Sequence, residues 1–261
     1  MSNIFKNIVS DSGGNGKPII FLHGFCESKK VWEQFIEPFK PEFRVVTVDL
    51  PGFGQNQDLR DDYSMDSAAA EVHEIVEALG FEKATVIGHS MGGYVALAYA
   101  EKYSEFVNGL SLFHSTAFPD SEEKKEARNR TIEFIQKHGV GKFMDSFVAP
   151  LFFEGNRKQN EAAINLLIGL GKEASGEAII GTVIGMRDRP DRTHVLRKAN
   201  FPIQFIAGKQ DTAVPFEQTL QLCPLPKIAH VLLLDQTGHM GMFEQKDITQ
   251  NAVISFIRSI A

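Results

Sequence analysis

Gly88-His89-Ser90-Met91-Gly92 is the stretch of this chain best suited to chemistry. It reads G-x-S-x-G, and it lies where a short apolar run ends and an alanine-rich helical pattern begins. A nucleophilic serine needs a sharp turn at such a place, so that its hydroxyl stands clear of the sheet edge. Flanking glycines remove side chains that would clash in so tight a bend. A serine hydroxyl is a weak nucleophile, so it needs a base, and the base needs an orienting acid. Among the eight histidines, His239 is the best-placed base. It lies in Gln236-Thr237-Gly238-His239-Met240, just past the last strand-like run, where a loop reaches the sheet edge. Asp211 is the matching acid, because Ala207-Gly208-Lys209-Gln210-Asp211 directly follows another strand-like run. A helix N-cap is the alternative role for Asp211. Asp49 also ends a strand but precedes Ser90, and Asp188, Asp191 and Asp235 are less well placed. The chain order Ser, Asp, His is the one that strand–turn–helix serine nucleophiles use.

A developing oxyanion needs two backbone N–H donors. Met91, directly after Ser90, supplies one from a helix N-terminus. The turn His23-Gly24-Phe25-Cys26 supplies the other through Phe25, with Gly24 permitting close approach. No acid–base pair is arranged around Cys26, so a buried, inert thiol is expected there. His23 reads as structural and His89 as pointing away along the elbow. His114 either lines the pocket or packs in the core. His73, His138, His194 and His230 carry no visible context.

The elements that must position these residues alternate. Apolar runs read as strands at Ile19–Leu22, Phe43–Leu50, Ala84–Ile87, Leu110–Phe113, Ile203–Ala207 and Val231–Leu234. They are short; the first is β-branched and aromatic, and four of the six end at His23-Gly24, Pro51-Gly52, Gly88 and Gly208. Asp11 to Pro18 reads as a turn-rich lead-in. Helical patterns lie between the runs. Val31, Phe35 and Phe39 recur at four-residue spacing. Val72, Ile75, Val76 and Leu79 form a stripe closed by Gly80 and capped from within Met65-Asp66-Ser67. Tyr94–Tyr103 and Ile248–Ile260 complete the set. Strands alternating with helices predict an α/β fold with a mostly parallel, doubly wound sheet.

One interval breaks the rhythm. From about Thr116 to Leu196 no strand is visible, and the patterns are helical, punctuated by Gly139, Pro150, Gly155, Gly171 and Gly176. A parallel crossover needs only a dozen residues or somewhat more. The expected organisation is a core of residues 1–116 and 196–261, with a helical cap inserted at 117–195. Phe143, Phe147, Leu151, Phe152 and Phe153 could roof a pocket shared with Phe25 and His114. Glu122–Arg130 reads as a solvated helix face.

Composition excludes several classes. Of 261 residues 43% are apolar, so the chain is neither disordered nor fibrous. A net charge of −6 and the lack of a long basic run argue against a nucleic-acid partner. No window approaches the roughly twenty apolar residues of a membrane span. The start, Met1 to Lys6, lacks the pattern of an export signal, so a cytoplasmic location is expected. Two cysteines cannot build a disulfide framework. Neither a metal-ligand cluster nor a dinucleotide fingerprint appears, so no cofactor or metal is expected.

Five blocks together resemble a known superfamily. They are Leu22-His23-Gly24-Phe25, Asp49-Leu50-Pro51-Gly52-Phe53-Gly54, Gly88-His89-Ser90-Met91-Gly92-Gly93, Gly208-Lys209-Gln210-Asp211 and Gly238-His239. In their order they resemble the α/β-hydrolase superfamily, in its cap-bearing serine esterase, haloperoxidase-like and carbon–carbon-bond hydrolase branch. The resemblance covers most of the core and not the cap. It implies an oxyanion hole at Phe25 and Met91. It also implies one or two fewer strands before Ile19 than the usual eight. Dehalogenases and epoxide hydrolases of this fold carry aspartate at the elbow, where this chain has Ser90. The expected activity is hydrolysis of a small or medium carboxylic ester, lactone or thioester through an acyl-enzyme. Perhydrolysis and carbon–carbon bond hydrolysis are alternatives on the same triad. A ligand-binding sensor with slow residual hydrolysis is the alternative of another class.

Overall fold

The apolar runs pair into one sheet; all but the last are buried on both faces, and the last, Val231–Leu234, lies at the sheet edge with Val231 and Leu233 exposed. The computed structural model describes residues 5–260. Residues 1–4, within the stretch read for an export signal, and residue 261, the end of the expected core, lie outside the described residues. Seven strands are β1 Val9–Asp11, β2 Lys17–Leu22, β3 Phe43–Val48, β4 Ala84–His89, β5 Val107–Phe113, β6 Ile203–Gly208 and β7 Ala229–Leu234. Their order is β1-β3-β2-β4-β5-β6-β7. Only β1 runs antiparallel, pairing Val9 with Val48. The other pairings are parallel, with Leu22 beside Gly88 and His89 beside Phe113. The chain builds the sheet outward from β2 in one direction and from β4 in the other. The crevice beyond the C-terminal ends of these two strands is therefore the switch point at which such sheets bind ligands. The turn after β2 and Ser90 after β4 flank it.

The α-helices are α1 Met65–Ala78, α2 Met91–Lys102, α3 Glu122–Phe147, α4 Glu161–Glu173, α5 Gly176–Arg187, α6 Thr193–Lys198, α7 Phe216–Leu222, α8 Gly241–Glu244 and α9 Lys246–Ser259. Helix α2 is buried from Met91 through Ala100. That burial explains its run of glycine and alanine. A Cβ on Gly92 would lie 2.4 Å from the Leu22 carbonyl, and one on Gly93 would lie 2.3 Å from Ser115 Oγ. Beneath β2, Phe21 packs on Trp32 and Phe39 with ring centroids 5.1 and 5.5 Å apart.

Two local readings are corrected. The Val31–Phe39 stripe is not one helix but two 3-10 turns, Lys29–Trp32 and Glu37–Phe39. Pro38 has no N–H to continue a helix through that point. The cap of α1 is Ser64, one residue before the expected stretch, and its side chain accepts from Ser67 N at 3.1 Å. Gly80 follows α1 at φ +69, as a closing glycine should.

Between β5 and β6 the described residues hold helices and 3-10 turns but no strand. Helix α3 is broken at Gly139 (φ 82, ψ 164), which divides it into two arms. Gly171 punctuates nothing. It lies inside α4, where the Met144 side chain occupies the space a Cβ would need. The boundary expected at 195/196 falls within α6. The return to the core is tied just before it, where Arg192 bonds Asp66 of α1 at 2.7 Å and Glu101 of α2 at 2.9 Å. No helix among the described residues is long and apolar enough to cross a membrane.

Candidate active site

Strand β4 runs straight into α2, and Ser90 takes the bend at φ 49, ψ −115. A non-glycine residue rarely occupies positive φ, and holding it there costs about 1–3 kcal/mol. The surroundings enforce it. Ser90 N donates to Phe113 O at 2.9 Å. Its carbonyl accepts from Gly93 N at 2.9 Å and from Ser115 Oγ at 2.7 Å. A Cβ on Gly88 would lie 2.4 Å from the Gly92 carbonyl, so the bend tolerates no side chain there. The backbone is thus fully engaged, and Ser90 lines a cavity of about 100 Å³.

His239 lines the same cavity. Its ring nitrogen Nδ1 lies 2.7 Å from Asp211 Oδ2. Its backbone N–H donates to Leu151 O at 2.7 Å, and its carbonyl accepts from His89 Nε2 at 3.0 Å. No hydrogen bond joins Ser90 Oγ to His239 among the described residues; such bonds often tighten only around a bound substrate. Asp211 uses both oxygens. Oδ1 accepts from Ala213 N and Val214 N at 2.8 and 2.9 Å, and Oδ2 meets the two histidines His239 and His114. It does not cap α7, which begins at Phe216. Burial alone would raise its pKa, but the charge of His239 and both ring contacts outweigh burial and hold the carboxyl well below its usual range.

The turn after β2 is pinned by Glu27, whose Oε2 accepts from Gly24 N at 2.7 Å. Phe25 faces the cavity, and its N–H and that of Met91 donate to no protein acceptor among the described residues. Cys26 is buried at φ 59, and burial pushes its thiol well above the ordinary value. His23 holds the turn from behind. Nδ1–H donates to Gly24 O at 2.8 Å, and Nε2 accepts from Leu50 N at 2.9 Å.

The fold agrees with that of known proteins. A family model described as alpha/beta hydrolase fold matches residues 17–130. An esterase from Thermogutta terrifontis, solved with malate bound, superposes with a TM-score of 0.90 at 29% identity, covering 97% of this chain and 93% of the other. The chain has the α/β-hydrolase fold. A curated relative, 2-hydroxy-6-oxo-6-(2'-aminophenyl)hexa-2,4-dienoic acid hydrolase of Metapseudomonas resinovorans, is 27% identical over 94% of this chain and 85% of its own length. The enol-lactonase of Burkholderia xenovorans shares the fold at a TM-score of 0.88 and 18% identity, covering 96% of each chain.

Within this fold the expected pocket residues separate. Phe25, Phe143, Phe147 and Leu151 line the cavity. Phe152 is buried against Phe243 instead, and neither it nor Phe153 reaches the cavity wall. His114 is not at the wall either. It is fully buried behind Asp211, with Nδ1 3.2 Å from Oδ2 and Nε2 without a partner. His114, Asp211 and His239 place metal-binding atom types within 4.8 Å of one another. Their mutual hydrogen bonds already account for the arrangement.

His89 departs furthest from its expected place. Far from pointing away, it lies beneath the site, with Nδ1 3.2 Å from Glu27 and Nε2 on the His239 carbonyl. Both ring nitrogens face acceptors, which suits the doubly protonated ring. Burial opposes that charge, but Glu27 outweighs it and raises the His89 pKa. Glu27, through His89, therefore ties the turn after β2 to the loop that carries His239. Glu244 holds the other side of that loop, accepting from Gly238 N at 3.0 Å and Met240 N at 3.2 Å. Neither glutamate stands out in sequence. A glutamate within a few residues of Gly24 or His239 is the one local signal.

His114 makes the site sensitive to acid. Burial drives its pKa from 6.5 down to about 4, against the pull of Asp211. Between those values the unfolded chain binds the extra proton, so stability falls as pH drops from about 6.5 toward 4. His23, also depressed by burial, acts in the same sense. The raised His89 acts above 6.5, and Asp211 acts only below the ordinary carboxylate range. The melting temperature should therefore fall across this window. The fall should be shallower in His114→Asn, which removes the titrating ring and keeps a donor for Asp211. Equal slopes in the two proteins between pH 7 and 4 would remove His114 from this account.

Proposed function

We propose that this α/β hydrolase cleaves a small or medium carboxylic ester through an acyl-enzyme on Ser90, with His239 as base and Asp211 as its orienting acid. The supporting observation is the 2.7 Å contact between Asp211 and His239 Nδ1, on a ring that opens into the cavity of the elbow serine. A proton on Nδ1 leaves Nε2 to accept the Ser90 proton. The serine oxygen attacks the carbonyl, and the Phe25 and Met91 amides stabilise the oxyanion. His239 then protonates the departing alcohol. The same ring next deprotonates water, whose attack releases the acid and restores Ser90.

The esterase relative at 29% identity favours an ester over the lactone, thioester, perhydrolase and carbon–carbon bond alternatives. The small cavity favours a short acyl group. A small-molecule substrate and a cytoplasmic location belong to the same proposal. A fluorophosphonate should label Ser90 and no other serine, as read by peptide mass spectrometry. p-Nitrophenyl acetate and butyrate should show an acylation burst and steady turnover. Stoichiometric acylation followed by almost no release would favour the ligand-binding sensor. No labelling at Ser90 would end the acyl-enzyme reading.

A further inference from the structure

Helix α3 carries charge into the cavity. Glu122–Arg130 was expected to be a solvated face, and part of it is: Glu122, Glu126 and Arg130 are exposed. Lys124, Arg128 and Thr131, however, are half-buried and line the cavity with Ser90 and His239. Their spacing of four and three residues places them on one face of the helix.

The cations are only partly neutralised where they stand. Lys124 Nζ has a single partner, the Ala213 carbonyl at 3.2 Å, and no carboxylate within salt-bridge reach among the described residues. Arg128 uses only Nε, on Asp120 Oδ2 at 2.6 Å, and its two terminal nitrogens donate to no described protein group. Asp120 is already shared, because Arg189 Nη1 holds its other oxygen at 2.7 Å. One carboxylate thus serves two guanidiniums, with an ammonium beside them. Arg189 is spent on structure, lying 4.0 Å over the Tyr94 ring and bonding the Met186 and Phe118 carbonyls. The carboxylate of Glu27, which also borders the cavity, is engaged by Gly24 N and His89. Burial holds the Lys124 pKa below its ordinary value, and the charges of Arg128 and Arg189 add to that against the pull of Asp120 and Asp211. The rest of the wall is apolar, with Phe143, Phe147, Val183 and Met186.

We propose that the ester substrate carries a free carboxylate a few carbons from the scissile bond, held by Lys124 and the open Nη edge of Arg128. The proposal rests on the ester-hydrolase reading above and names its substrate class. An apolar wall suits the methylene spacer, and a guanidinium edge suits a planar carboxylate.

Monomethyl succinate, glutarate and adipate, each paired with its ω-amide methyl ester, differ within a pair by one charge at nearly constant size. In a pH-stat assay, at least one carboxylate should exceed its amide at least tenfold in kcat/KM. That ratio should shrink with added salt and approach one in Lys124→Met, which breaks no ion pair. Arg128→Gln should act likewise, with its melting curve reported because Asp120 loses a partner. Glutarate binding to Ser90→Ala, read by calorimetry, reports the subsite without turnover and should be lost with Lys124→Met in that background. Equal kcat/KM within every pair, in a protein whose Ser90→Ala variant is inactive, overturns the carboxylate proposal and leaves the hydrolase reading intact. No ester turnover, with glutarate still bound through Lys124, supports the anion subsite and overturns the ester reading. Neither turnover nor glutarate binding overturns both.

Discussion

Ser90→Ala should abolish ester turnover while leaving the fold unchanged. Losing a triad nucleophile costs on the order of 10⁴ to 10⁶ in kcat. The structural cost should be small, because the Ser90 bonds that shape the elbow are made by its backbone. The amide donates to Phe113 O, and the carbonyl accepts from Gly93 N and Ser115 Oγ. Alanine keeps all three. It still has to hold positive φ, so the strain at the bend persists and is not relieved. The melting temperature should therefore stay within a few degrees of the parent while kcat collapses. Substrate binding should survive, since the cavity walls are untouched. A verified Ser90→Ala protein with near-parental kcat would end the covalent mechanism. A protein that failed to fold would show that the hydroxyl is structural.

The parts of this chain legible in sequence are those whose signal is local. The parallel strands β2 to β6 are largely buried and β7 is an apolar edge strand, so each shows as a short apolar run. The three-residue β1 is too short to show any period. The Val31–Phe39 stripe has helical spacing because all three side chains pack inward, yet Pro38 forbids the helix that this spacing suggests. Ser90, Asp211 and His239 are legible because each follows a strand. Their convergence on one cavity or one hydrogen bond is a property of the tertiary fold. The residues missed are those whose partners are remote. Glu27 meets His89 across 62 positions, and Glu244 meets Phe153 N across 91. Lys124 and Arg128 sat inside a run of charges whose composition describes water. Only the placement of α3 over the sheet turns that face inward.

Asp211→Asn should cut kcat by roughly 10⁴ at little cost in stability, since an isosteric amide reverses the favoured tautomer of the base. The structure explains why the amide has no neutral way to fit. Oδ1 accepts from two backbone amides, Ala213 N and Val214 N, and Oδ2 faces Nδ1 of both His239 and His114. Asparagine has one acceptor atom. If its oxygen stays on the backbone amides, its NH₂ replaces Oδ2 and confronts two N–H donors. Both rings must then move their proton to Nε2. His239 loses the bare Nε2 needed to accept the Ser90 proton. His114 can make the same change, because its Nε2 has no partner to contradict it. The loop survives on its backbone bonds, so the melting temperature should drop only modestly. If the amide turns over, its NH₂ meets the backbone amides, and the loop should loosen with a clear loss of stability. The loss should appear chiefly in kcat, because the acid acts on the charged transition state and touches no substrate. If Asp211 served only to organise the 211–214 turn, asparagine would keep that turn through its oxygen and kcat would be normal. Measuring kcat and melting temperature on one sample separates these cases. A variant with parental kcat would remove Asp211 from the triad and leave Ser90 and His239 in place.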